Sequence, residues 1–174
     1  MIKKQISEFR KDLVSGDWIL IAPGRRLRIQ AEKKKAPKKA RVIKAGLDDC
    51  PFEDPQKSGN PFPILWYPRP GTPLKKKKDF SSWFVQVIPN KYPLLSLPFG
   101  KSCPDVQSFG PQKTLKGIGF HEVIITRDHF KTIDKMSVEE VELLLKAYQM
   151  RYQALANEPC INYIIVFHNH GKMA

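Results

Sequence analysis

Apolar residues along this chain gather into short clusters and one longer stripe. Four stretches, "DWILIA" (17–22), "WFVQVIP" (83–89), "HEVIIT" (121–126) and "INYIIVF" (161–167), are dense in Ile, Val and aromatic residues. Gly, Pro, Asn or Asp bounds each of them, a pattern that predicts strands. In "KMSVEEVELLLKAYQMRYQALANEP" the spacing becomes helical. Ser137 and Glu140 match a capping box, and Val138, Val141, Leu144, Leu145, Tyr148, Tyr152 and Leu155 form one apolar stripe. Asn157 to Pro159 stop the helix, and the next predicted strand follows at once. Residues 23–80 show little periodicity and carry many of the chain's 15 prolines, so they read as long loops. The order of elements predicts an α+β fold, an antiparallel sheet with one main helix packed across it.

Composition changes this picture little. At 174 residues the chain fits one domain, and its 41% hydrophobic content is ordinary for a globular protein. No apolar run approaches the ~20 residues that cross a bilayer, so no membrane partner is expected. The N-terminus lacks the apolar core of a secretory signal. Cys50, Cys103 and Cys160 are odd in number and irregularly spaced. A disulfide framework is therefore not expected, and a reducing, cytoplasmic setting is.

Charge adds a question. Thirty Lys and Arg against 17 Asp and Glu give +13, and lysine dominates "EKKKAPKKARVIK" and "LKKKKD". Such an excess fits nucleic acid as a partner. The blocks contain no interleaved aromatic residues for stacking bases. Flexible, solvated lysine-rich loops over 30–45 and 72–80 are the preferred reading.

Five stretches share an order with a known family. "FRKDLVSGDWILIAPGRRLR", "CPFE", "VIPNKYPLL", "GFHEVIIT" and "VFHNHGKMA" run from Phe9 to Ala174. Together they resemble the signatures of galactose-1-phosphate uridylyltransferases. The resemblance implies a histidine-triad-like fold and a single N-terminal domain over 1–174. It implies UMP transfer between UDP-glucose and a hexose 1-phosphate, through a covalent uridylyl-histidine. It also implies a homodimer. In the family a His-Pro-His-x-Gln segment with the nucleophile lies a few residues beyond the Asn-x-Gly matched here. His168 and His170 align with the approach to that segment, so no catalytic residue is assigned. The chain is expected to be a domain cut short and inactive by itself.

Binding residues carry over individually. Arg25 and Arg28 match an arginine pair near the nucleotide, and guanidinium suits a diphosphate because it grips two oxygens at once. Ile29 stands where the family usually has proline. Asn90 matches a nucleotide-binding asparagine whose amide offers both donor and acceptor. Without the resemblance it reads as a turn residue. Asn169 and Gly171 match residues approaching the phosphates. Many family members hold zinc through two cysteines and two histidines. Cys50 and His121 match that set, Glu53 replaces the second cysteine, and a Cys50–Glu53–His121 zinc site is the resulting expectation. His129 reads as a solvated loop residue. The competing function is a non-catalytic module that binds nucleotide or RNA through its lysine-rich loops.

Overall fold

The computed structural model describes residues 7–25, 50–73, 80, 82–97 and 102–169. Both lysine blocks, and with them the loops expected over 30–45 and most of 72–80, lie outside them. Among the described residues the elements are β1 (Glu8–Lys11), β2 (Trp18–Ile21), β3 (Leu65–Pro68), β4 (Trp83–Pro89), β5 (Gln107–Phe109), β6 (Gln112–Lys116) and β7 (Glu122–Thr126). A 3₁₀ turn (Ile133–Lys135) precedes the helix α1 (Val138–Ala156). The architecture is α+β, with two antiparallel sheets where one was expected. Their strand orders are β2-β1-β6-β5 and β3-β4-β7.

The second sheet carries the core. β4 is its central strand, and every residue from Trp83 to Ile88 is buried, as a strand covered on both faces must be. Phe84, Val85 and Val87 pack with Leu144 and Ala147 of α1, and Leu65, Tyr67, Leu143 and Tyr148 lean on that cluster. Trp83, Ile88 and Ile125 form a second cluster with Phe52, Trp66 and Phe80 around it. The buried Gln86 side chain accepts a hydrogen bond from Gln56 Nε2 at 3.0 Å. This bond ties the turn-rich stretch after Cys50 onto the sheet.

The helix begins as predicted. Ser137 Oγ accepts from Glu140 N–H, and the Glu140 carboxylate accepts from Ser137 N–H. Its buried face differs from the predicted stripe. Leu144 and Ala147 are buried, whereas Val138, Leu145 and Tyr152 are exposed. The true face takes in Ala147 and Arg151, which an apolar count passes over. Arg151 makes a two-pronged ion pair with Glu122 of β7, Nη2 to Oε1 at 2.7 Å and Nε to Oε2 at 2.9 Å. That pair locks the helix against the strand entering the candidate site.

The first sheet was not legible beyond β2. In the β1–β2 hairpin the Asp12 carboxylate accepts from Val14 and Ser15 N–H, and Gly16 takes φ +79°. The family-like "RKDLVSGDW" is thus a turn built for its backbone. β5 and β6 join through Gly110, at φ +59°, and Pro111. That is a two-residue hairpin with glycine where a type II′ turn needs it.

Two expectations are corrected. The predicted strand 161–167 is irregular chain with no ladder partner among the described residues, and Tyr163, Ile165, Val166 and Phe167 are exposed. An apolar run makes a strand only when an edge accepts its hydrogen bonds. The cysteines also depart from their odd count, because Cys103 and Cys160 form a disulfide, leaving Cys50 free. The fold sets their Cα atoms 5.2 Å apart, and that proximity, not spacing along the chain, permits the bond. No described helix is long and apolar enough to cross a membrane.

Candidate functional site

The β4–β7 ladder continues one residue past Pro89↔Glu122, so Asn90 lies opposite His121 and its N–H donates to His121 O at 2.8 Å. Side chains directly opposite on antiparallel strands are nearest neighbours. Asn90 Nδ2 and His121 Nε2 accordingly stand 3.1 Å apart. The chain then turns over the pair: Tyr92 N–H donates to Asn90 Oδ1 at 2.8 Å, and Leu94 N–H donates to His121 Nδ1 at 3.0 Å. Asn90 closes a turn and also meets a histidine 31 residues away.

That turn is held from the other side. Ser96 N–H donates to Gly117 O, and Gly119 N–H donates to Ser96 O. Gly117 N–H donates to Ser7 O, so the same short segment fastens the first sheet to the turn. A Cβ on Gly117 would sit 2.9 Å from the Ser7 backbone, and Gly119 adopts φ +152° beneath Leu95. The two glycines of "GIGF" bring backbones close together.

His121 is partly buried. Desolvation, with the Arg25 charge adding to it, lowers the histidine's affinity for a proton. The ring is therefore neutral at physiological pH. Leu94 N–H on Nδ1 places the remaining proton on Nε2. The structure thus sets Asn90 on His121, with Arg25 near enough for its charge to act on the ring. Arg28 and Gly171 lie outside the described residues. Asn169 is exposed beyond the 161–167 stretch and shares no hydrogen bond with Arg25, Asn90 or His121.

The expected zinc set does not assemble. Glu53 Oε1 accepts from Arg127 Nη2 at 2.9 Å, Glu53 Oε2 lies 2.8 Å from His129 Nε2, and Glu53 O accepts from Arg127 Nη1 at 2.9 Å. Both His121 nitrogens face donors instead. Among the described residues, no three His, Cys, Asp or Glu side chains are grouped to hold a metal ion. As arranged, Cys50, Glu53 and His121 do not fit zinc, and no chemistry is routed through it.

His129 is the residue that sequence reasoning missed. Its side chain is 22% exposed and reaches Glu53 across 76 positions. Arg127 completes the cluster, its guanidinium 5.1 Å above the Trp83 ring. Nothing local in "RDHF" announces a partner so distant.

The chain is similar to a protein named ADP-glucose phosphorylase from Arabidopsis thaliana, 29% identical over 178 residues. The match covers 99% of this chain and 46% of that protein, so the chain spans less than half the relative's length. Neither a family model nor a solved structure matches the chain.

Proposed function

We propose that this chain is a nucleotide-sugar-binding domain of an enzyme that transfers a nucleotidyl group between a nucleoside diphosphate sugar and a phosphate acceptor. The observation that supports the reading is the Asn90 amide fixed just past β4 against His121, with Arg25 near enough for its charge to act on that histidine. A permanent cation near a fixed amide is what a nucleoside diphosphate requires, charge for the phosphates and a directional group for the nucleotide. The match, over 99% of this chain, to a protein named for ADP-glucose supports the same substrate class. It favours ADP-glucose over the UDP-glucose that the motifs alone suggest. Hexose 1-phosphate release and a homodimer belong to the reading through the uridylyltransferase resemblance.

Isothermal titration of the 174-residue chain tests this. ADP-glucose, UDP-glucose, glucose 1-phosphate and inorganic pyrophosphate are compared at moderate salt. The reading expects a nucleotide sugar to bind tighter than glucose 1-phosphate by tenfold or more, with ADP-glucose preferred. Equal affinity for all four, falling steeply with salt, would instead mark a nonspecific polyanion surface.

A further inference from the structure

Two connections fasten the first sheet to the rest of the described chain. One is the segment after β6, where Gly117 N–H donates to Ser7 O and Gly117 O accepts from Ser96 N–H. The other is covalent. Cys103 precedes β5, the outer strand of that sheet, and is bonded to Cys160, just past α1. Among the described residues, no strand of the first sheet packs extensively on α1 or on the second sheet. Both fastenings lie at one end of the sheet, because the Glu8↔Lys116 and Gln107↔Thr114 pairings set the starts of β1 and β5 beside the end of β6. Two points fix the sheet's angle, and one alone lets it turn.

The helix does not depend on the bond. Leu144 and Ala147 are buried against β4, and Arg151 holds Glu122. Past Ala156 the chain is held by local turns, Glu158 N–H donating to Leu155 O and Ile161 N–H to Glu158 O. Cys103 is exposed and Cys160 half-buried, so a thiolate from solution can reach the bond.

We propose that Cys103–Cys160 is a thiol–disulfide switch that fixes or frees the first sheet and, through Gly117 and Ser96, sets how firmly the turn over Asn90 is held for its ligand. Reduction is an exchange with a dithiol. Its thiolate attacks the exposed Cys103 Sγ, and Cys160 leaves as a thiolate and takes up a proton. The reductant's second thiol then displaces Cys103, so two electrons and two protons have passed to the cysteine pair and the dithiol ends as a disulfide. Oxidised glutathione, a small disulfide, runs the exchange backwards. In the oxidised chain the sheet is held at two points. In the reduced chain it swings about Gly117, and movement there loosens Ser96. The identity of the ligand rests on the nucleotide-sugar reading, and the movement of the sheet does not.

The 174-residue chain is compared oxidised, reduced with dithiothreitol and reoxidised with oxidised glutathione, with Cys103→Ser as a permanently open control. Residual dipolar couplings of backbone amides report the orientation of each sheet, and ADP-glucose is titrated into every form. One alignment is expected to fit both sheets of the oxidised chain. On reduction the couplings of β1 and β6 should shrink relative to those of β4 and α1. ADP-glucose should then bind about threefold weaker or more, as the fraction of chains with the turn in place falls. Reoxidation should restore both readings, and Cys103→Ser should match the reduced chain and ignore dithiothreitol.

A single alignment that still fits both sheets after reduction overturns the proposal. So does an equal collapse of the β4 and α1 couplings, which would make the bond a brace for the whole fold, and so does a bond that dithiothreitol opens only in denaturant. A freed sheet with unchanged ADP-glucose affinity overturns the control of the site. A freed sheet in a chain that binds no ADP-glucose in either form sustains the switch and refutes the nucleotide-sugar reading. Should Cys103→Ser not fold, the reduced and reoxidised forms of the parent chain decide the question.

Discussion

Replacing Arg151 by methionine tests the joint that holds α1 against the strand leading into the site. Methionine keeps most of the buried stem and removes the charge, leaving the Glu122 carboxylate without its partner. The pair is close, with bonds at 2.7 and 2.9 Å, and covered, with side-chain exposures of 17% for Arg151 and 10% for Glu122. The hydrogen bond to Glu122 also strengthens the arginine's hold on its proton. An exposed pair would contribute about 0.2–1 kcal/mol. Breaking a fully buried pair from one side costs about 3–5 kcal/mol, because the orphaned charge stays desolvated. The coverage here places Arg151→Met near 3 kcal/mol, at about the lower end of that buried range. For a domain of this size that lowers Tm by roughly 6–12 °C. Urea unfolding followed by far-UV circular dichroism should show the shift in midpoint at unchanged slope. Adding Glu122→Gln should restore about 1–2 kcal/mol, since the second change removes the unpaired charge. A single-variant loss below about 1 kcal/mol, or strictly additive losses in the double variant, would refute the assignment of the pair as a buried joint.

Three further outcomes follow from named contacts. Gly117→Ala is expected to cost about 2 kcal/mol or more, because the new methyl meets the Ser7 backbone at 2.9 Å and backbone yields less readily than a side chain. Chemical unfolding of the variant checks it, and a cost below about 0.5 kcal/mol would show that the close approach relaxes freely. Reducing the Cys103–Cys160 bond, which closes a separation of 57 residues, should remove up to about 4 kcal/mol of chain-entropy stabilisation. Melting with and without reductant tests this, and equal midpoints would deny the bond a role. The Glu140 carboxyl is held below its ordinary range by the hydrogen bond from Lys131, with Ser137 N–H adding to it. That contribution is complete above the unfolded value of about 4.3 and is lost as pH falls through the lower folded value. Between about pH 5 and pH 3 the parent chain should therefore lose more stability than Glu140→Gln, and parallel acid-unfolding curves would contradict the assignment.

Residues whose partners lie nearby in sequence were readable from the sequence. The capping box of Ser137 and Glu140 needs three residues and a helix to follow, and it formed as written. The seven residues of β4 gave their bounds directly, because a central strand buried on both faces is apolar almost throughout. Asn90 carries a ligand-binding expectation from its motif. Its contact with His121 was not legible, since it depends on β4 and β7 pairing in one register.

Other features depended on contacts between distant residues. β5 and β6 are short and mostly polar, with β5 exposed throughout, so no apolar alternation marked them. The stretch 161–167 has the letters of a strand and lies outside both sheets. His121 matched a zinc pattern by type, with Glu53 in place of a cysteine, yet tertiary pairing gave His121 to Asn90 and Leu94, and Glu53 to Arg127 and His129. Sequence by itself determined the local elements and the types of group available for chemistry, because propensity, capping and burial act over a few residues. The tertiary structure decided which of those groups meet, because strand register and helix docking set distances between residues dozens of positions apart.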